Sequence, residues 1–164
     1  MAKKMEEFIA WAQENGWDLT RKSEIQLHLD SSITARYNKI PPEYMDFLSI
    51  VEKCISPNEM TWFIGENEFN HRSDTEFKWN EFELISLEAA ADDPKWQSEI
   101  TAWWDNYLPI VMSVDGGYSY YAIDLTHDRG AIVRGYEPEF EEVEKAADDL
   151  EHFFELIMSH SLEV

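Results

Sequence analysis

Residues 107–125 read YLPIVMSVDGGYSYYAIDL, and this stretch decides the fold. Leu108, Ile110, Met112 and Val114 alternate along its first half, and Ser119, Tyr121, Ile123 and Leu125 along its second. That is the two-residue period of a strand. Between the halves stands Asp115-Gly116-Gly117, the strongest short hairpin signal, because the central residues of such turns need positive φ. If Asp115-Gly116 makes the turn, Ile110 faces Tyr121 and Leu108 faces Ile123. If Gly116-Gly117 makes it, Ile110 faces Ile123 and Met112 faces Tyr121. Either register places the same two apolar sets on one face. The other face, with Val111, Tyr118, Tyr120 and Ala122, is also largely apolar. A strand pair covered on both sides belongs in the middle of a sheet.

Working outward, Asp92-Asp93-Pro94 starts a helix, with an Asp cap and then proline in the first turn. Trp96, Ile100, Trp103 and Tyr107 repeat at helical spacing towards the hairpin, so Trp96 and Trp103 read as core. Phe77 to Leu87 holds an expected strand, with Phe82, Leu84 and Ser86 on one face, and Trp62-Phe63-Ile64 another. The intervening 66–76 reads as a polar loop. Ile40-Pro41-Pro42-Glu43 opens a helix whose stripe Tyr44, Phe47, Leu48, Val51, Ile55 predicts helix as far as Ser56-Pro57, with Cys54 inside it. Residues 18–39 fit either period and are read as helix. A first helix is expected over about 4–15, from the spacing of Met5, Phe8, Ile9 and Ala12 and the Asn15-Gly16 stop, with Trp17 tucked behind that stop. Downstream, 131–136 supplies a third strand of the meander. Leu150, Phe153, Phe154 and Ile157 mark a closing helix. It either runs back to Val143 or is capped by Asp148-Asp149, leaving 140–146 extended. With no linker or repeat in its 164 residues, the chain reads as one α+β domain, a mainly antiparallel sheet flanked by helices.

Hydrophobic content of 44% excludes disorder, and no apolar run reaches the roughly 20 residues of a membrane span. No signal-peptide core follows the N-terminal lysines. A single cysteine, Cys54, excludes internal disulfides and a cysteine zinc site, and it reads as a core thiol of a cytoplasmic protein. The net charge is −21 and uneven: residues 1–53 hold seven Lys/Arg against nine acids, residues 54–164 six against twenty-five. Such a surface repels nucleic acid and favours a basic protein partner.

Several landmarks resemble the SMI1/KNR4 family of the SUKH superfamily. Ile40-Pro41-Pro42-Glu43-Tyr44-Met45-Asp46-Phe47-Leu48 is similar to the family's Leu-Pro-x-x-Tyr-x-x-Phe-Leu. Tyr107-Leu108-Pro109-Ile110, Asp115-Gly116-Gly117, Tyr120-Tyr121-Ala122-Ile123-Asp124-Leu125, Gly130-Ala131-Ile132-Val133 and the Phe153-Phe154 helix follow in order, so the likeness runs over about 40–158. Ser56-Pro57-Asn58 stands where the family often has a glycine-rich turn, and Val111 where it has a small residue. The resemblance implies a non-catalytic protein-binding domain without a cofactor. In bacteria such domains look like immunity proteins that block a cognate toxin, often a nuclease; the eukaryotic relatives suggest a regulatory or scaffold module instead.

The residues themselves offer one alternative chemistry. Asp124, His127 and Asp128 cluster after the central strand and could make a general-base or hard-metal site, or merely decorate a turn. The five histidines are otherwise scattered, and no nucleophile elbow or phosphate loop is present. No catalytic residue and no metal ligand is therefore assigned. The candidate partner-binding residues are Tyr136, Glu137, Glu139, Glu141 and Glu142, in a stretch from Glu137 to Glu155 where nine acids face only Lys145. The alternative for that strip is a plain solvated face. Trp79, in a polar setting, and Trp104, off the helical stripe, are the tryptophans expected to be exposed as interface anchors.

Overall fold

Strand alternation and the Asp-Gly-Gly turn place the hairpin at the centre of the sheet. The computed structural model describes residues 2–72, 77–162 and 164. Its strands are β1 (Asp18–Arg21), β2 (Val51–Ile55), β3 (Thr61–Phe63), β4 (Tyr107–Ser113), β5 (Ser119–Asp124), β6 (Ile132–Tyr136) and β7 (Glu144–Ala147). They form one sheet in chain order, each neighbouring pair antiparallel. The helices are α1 (Ala2–Glu14), α2 (Ser31–Arg36), α3 (Pro42–Ile50), α4 (Glu66–Phe69), α5 (Glu81–Ala89), α6 (Pro94–Trp104) and α7 (Leu150–Met158). The expected α+β architecture, an antiparallel sheet flanked by helices, is what the chain adopts.

The two faces of the sheet are read from adjacent residues of β5, which point opposite ways. Tyr121 lies 4.9 Å from Phe153 of α7. On the same side Phe63 of β3 meets Phe8 of α1, Phe47 of α3 and Phe154 of α7. Tyr120 points the other way, to Trp104 of α6 at 5.1 Å and Phe82 of α5 at 5.8 Å. Both faces of β4 and β5 are thus buried, as their two apolar sets require.

Neither of the two simple registers runs the length of the hairpin. Leu108 faces Ile123, but an irregularity between Pro109 and Val111 then sets Val111 opposite Tyr121 and Met112 opposite Tyr120. Proline brings no N–H to a ladder, so a bulge is where a central strand can hold one. In consequence Met112 and Tyr121 lie on opposite faces, contrary to the alternation read from sequence. Gly116 and Gly117 take φ of 72° and 122°, the turn conformation expected of them.

Three further expectations are corrected. Residues 18–39 are mostly not helical; they hold β1 and the short α2. The helix from Pro42 stops at Ile50, and Val51, Cys54 and Ile55 lie in β2. Adjacent β-branched Ile50 and Val51 favour extension, and pairing with β1 decides it. Residues 81–89 form α5 rather than a strand. Phe82 and Ser86 share a face at four-residue spacing as well as at two, and Leu84 between them points outward. Within the expected loop, 66–69 forms α4; residues 73–76 lie outside the described ones. By contrast the C-terminal alternative with a short helix holds: Asp149 caps α7 by accepting from the His152 N–H at 2.8 Å, and 144–147 is strand.

Gly135 of β6 sits directly across from Tyr120. A Cβ there would come within 2.6 Å of the tyrosine ring, which Phe82, Trp104 and Phe140 enclose. Gly135→Ala should therefore destabilise the fold by about 1–3 kcal/mol, the usual cost of overpacking a filled core. Urea unfolding reads this directly, and an unchanged midpoint would show the ring free to move.

Candidate partner-binding surface

β6 ends in Tyr136, and the chain then turns along the end of the sheet instead of leaving it. The Glu137 N–H donates to the Tyr118 carbonyl at 3.0 Å, and the Glu142 N–H to the Glu139 carbonyl at 3.1 Å. Between them Phe140 is buried, stacked on Phe82 at 4.6 Å. The buried Tyr120 hydroxyl donates to the Phe140 carbonyl, and burial pushes that phenol well above its usual range. An apolar plug and a hydroxyl thus hold a short segment from which Tyr136, Glu137, Glu139 and Glu142 face out. Tyr136 is 51% exposed, and Glu137, Glu139 and Glu142 are exposed as well. Lys145, the lone lysine of the strip, is drawn to Asp148 at 2.5 Å. Among the described residues Glu137, Glu139 and Glu142 have no ion-pair partner.

A model of the SMI1 / KNR4 family (SUKH-1) matches residues 32–156, from α2 into α7. The chain belongs to the SMI1/KNR4 family. Searches of curated proteins and of solved structures return no significant match. The family match takes in the whole acidic segment, whereas α1 and β1, which complete one face of the core, precede it.

Within this SMI1/KNR4 domain the two candidate tryptophans are not exposed. Trp104 is 1% exposed and Trp79 5%. The α6 stripe is rotated from the one read in sequence: Ile100 and Trp104 face the core, Trp103 is half-buried and stacks on Tyr107 at 4.2 Å, and Trp96 is 47% exposed. The cause is tertiary. The Trp104 indole N–H donates to Glu141 Oε2 at 2.9 Å, and the Ser86 hydroxyl donates to the same oxygen at 2.8 Å. An acceptor favours burial of an indole, and for Trp104 the acidic segment supplies it; the buried Trp79 N–H meets none among the described residues. Trp79 packs against Phe69 and Tyr37. Glu141, counted in sequence among the outward acids, is thus half-buried and ties the segment to α5 and α6.

The Asp124, His127 and Asp128 group does not converge. Asp124 Oδ1 accepts from the Thr126 N–H at 2.9 Å and the Thr126 hydroxyl at 2.5 Å, which stabilises the turn. His127 and Asp128 are exposed and line a surface cavity of about 400 Å³ beside Pro41. Among the described residues no group of three or more His, Cys, Asp or Glu is placed to hold a metal ion. Cys54 is buried in β2, and burial, then the charge of Asp18, push its thiol up, so it stays protonated.

Sequence reasoning missed the Arg36–Glu83 pair. The Arg36 guanidinium donates to both Glu83 oxygens at 2.9 and 2.7 Å and to Asp105 at 2.7 Å, joining α2 to α5 and to the end of α6. Glu83 is buried, and nothing in the local pattern of 77–87 marks it.

These contacts divide the acids of the segment into two kinds. Glu141→Ala leaves the Trp104 N–H and the Ser86 hydroxyl without their acceptor and should cost about 1–3 kcal/mol. Glu139→Gln and Glu142→Gln should shift stability by less than about 0.5 kcal/mol. Thermal and urea unfolding of the three variants separate the roles; equal losses would contradict the division.

Proposed function

We propose that this SMI1/KNR4 domain is an immunity-type protein of the bacterial cytoplasm. It neutralises a cognate toxin by stoichiometric binding, as one domain and without catalysis of its own. One observation carries the reading: Glu137, Glu139 and Glu142 flank exposed Tyr136 on a segment anchored into the core, and no cation of the described chain pairs with them. Exposed carboxylates around an aromatic anchor, two of them (Glu139 and Glu142) lining one small cavity with Tyr136, suit a basic protein surface. The net charge of −21 adds a long-range field that would steer such a partner. Toxin nucleases must approach phosphate and commonly carry a basic cleft, which this surface would cover. Membership of the family supports partner binding in general terms; the toxin and its basic character belong to the proposal.

Co-expression with the toxin domain of a neighbouring gene tests protection, and stopped-flow mixing tests the mechanism. The association rate should fall roughly 10-fold or more between low and about half-molar salt, the dissociation rate far less. The combined Glu137→Gln, Glu139→Gln and Glu142→Gln variant should associate more slowly at low salt and match the wild type at high salt. Association indifferent to salt, or a variant as fast as wild type throughout, would contradict steering through this segment.

A further inference from the structure

Arg134 lies in the middle of β6, opposite Tyr121 on one side and Glu144 on the other. Its guanidinium carbon sits 5.5 Å from the centre of the Tyr121 ring and 5.8 Å from that of Tyr136. Its Nε is closed off from solvent and meets no acceptor. In a chain with 34 acids for 13 Lys/Arg, this guanidinium has no ion pair or hydrogen bond among the described residues, although Glu144 stands across from it.

The space beside it is a groove of about 600 Å³ between the sheet and the ends of α1 and α7. Thr61, Ser113 and Ser119 form one row across β3, β4 and β5 and line the groove, whereas the next row carries Phe63, Val111 and Tyr121. Small hydroxyl side chains thus stand where bulky ones would have filled the gap under the helices. Thr61 donates to Ser113 at 2.9 Å, and Ser113 accepts from the Asp115 N–H at 3.2 Å. The Ser119 hydroxyl has no partner among the described residues. Trp11 and Ile157 supply apolar walls.

We propose that this groove binds a small organic molecule with a single carboxylate on an apolar or aromatic body. The carboxylate lies against the two Nη groups of Arg134 beside the Ser119 hydroxyl, and the body lies along Trp11 and Ile157. Guanidinium and carboxylate match as planar forks, and the volume is that of a small-ligand site. Glu139, Glu142 and Glu144, which line a small cavity with Arg134, and Asp115 lining the groove, set the charge limit. A doubly charged phosphate would meet their repulsion twice over, whereas a single carboxylate gains from a short contact that the surrounding field weakens only partly.

The test titrates the full chain with hydrocinnamate, with its neutral amide and with N-acetyl-glycyl-glycyl-phenylalanine. It follows the Trp11 indole and Arg134 guanidinium N–H resonances. Hydrocinnamate should bind saturably and at least roughly 10-fold more tightly than the amide, the share of one charge-assisted pair. Arg134→Gln should reduce it to the affinity of the amide, Arg134→Lys should keep part of the preference, and Ser119→Ala, which leaves the guanidinium in place, should weaken it several-fold. An amide that binds equally well, no saturable shift, or affinity untouched in Arg134→Gln and Ser119→Ala would overturn the site. Tighter binding of the tripeptide would overturn the small-molecule assignment in favour of a peptide terminus.

Discussion

Burial of the Tyr120 hydroxyl is the constraint on which the arrangement depends. Tyr120 stands in the strand that is covered on both faces, so its phenol has no water to meet and must find a partner in the protein. It finds the Phe140 carbonyl, and this requires the chain after β6 to fold back over the sheet. Gly135 makes room for the ring, and Phe82, Trp104 and Phe140 close around it. Glu141 then reaches the Trp104 indole from the same segment. A core tyrosine thereby fixes the position of the acids that face outward on either side of Phe140.

Much of this scaffold was legible because it depends on neighbours in sequence. The Asp-Gly-Gly turn, the Asp93-Pro94 helix start and the Asn15-Gly16 stop are short-range devices, and each acts where it stands. What was not legible depends on partners far along the chain. Trp104 is buried because Glu141 accepts its N–H, and Glu83 because Arg36 pairs with it. Val51 and Ile55 leave the helical stripe because β1 offers them a ladder. At 77–87 the two periods coincide at Phe82 and Ser86, so position alone could not choose between helix and strand.

The candidate surface was legible only in part, for the same reason. A run of acids announces itself in sequence, and Glu137, Glu139 and Glu142 do face solvent. That Glu141 turns inward follows from its place between buried Phe140 and the Trp104 indole, neither of which the run reveals. Arg134 shows the converse: an unremarkable strand residue becomes notable only when the acids around it leave it unpaired. The two features also oppose each other in sign. The segment after β6 offers carboxylates to a cation, and the groove under α1 and α7, on the other face of the sheet, offers a guanidinium to an anion.

The account rests most on the claim that the Tyr120 hydroxyl holds the acidic segment rigid, and amide hydrogen exchange on Tyr120→Phe tests it most directly. The ring still packs, so protection of β4 and β5 should be retained. Protection of the Glu142 amide, which closes the turn on Glu139, should drop roughly 5-fold or more with loss of one buried hydrogen bond. Unchanged exchange at that amide would contradict the claim and leave the segment held by the Phe140 side chain alone.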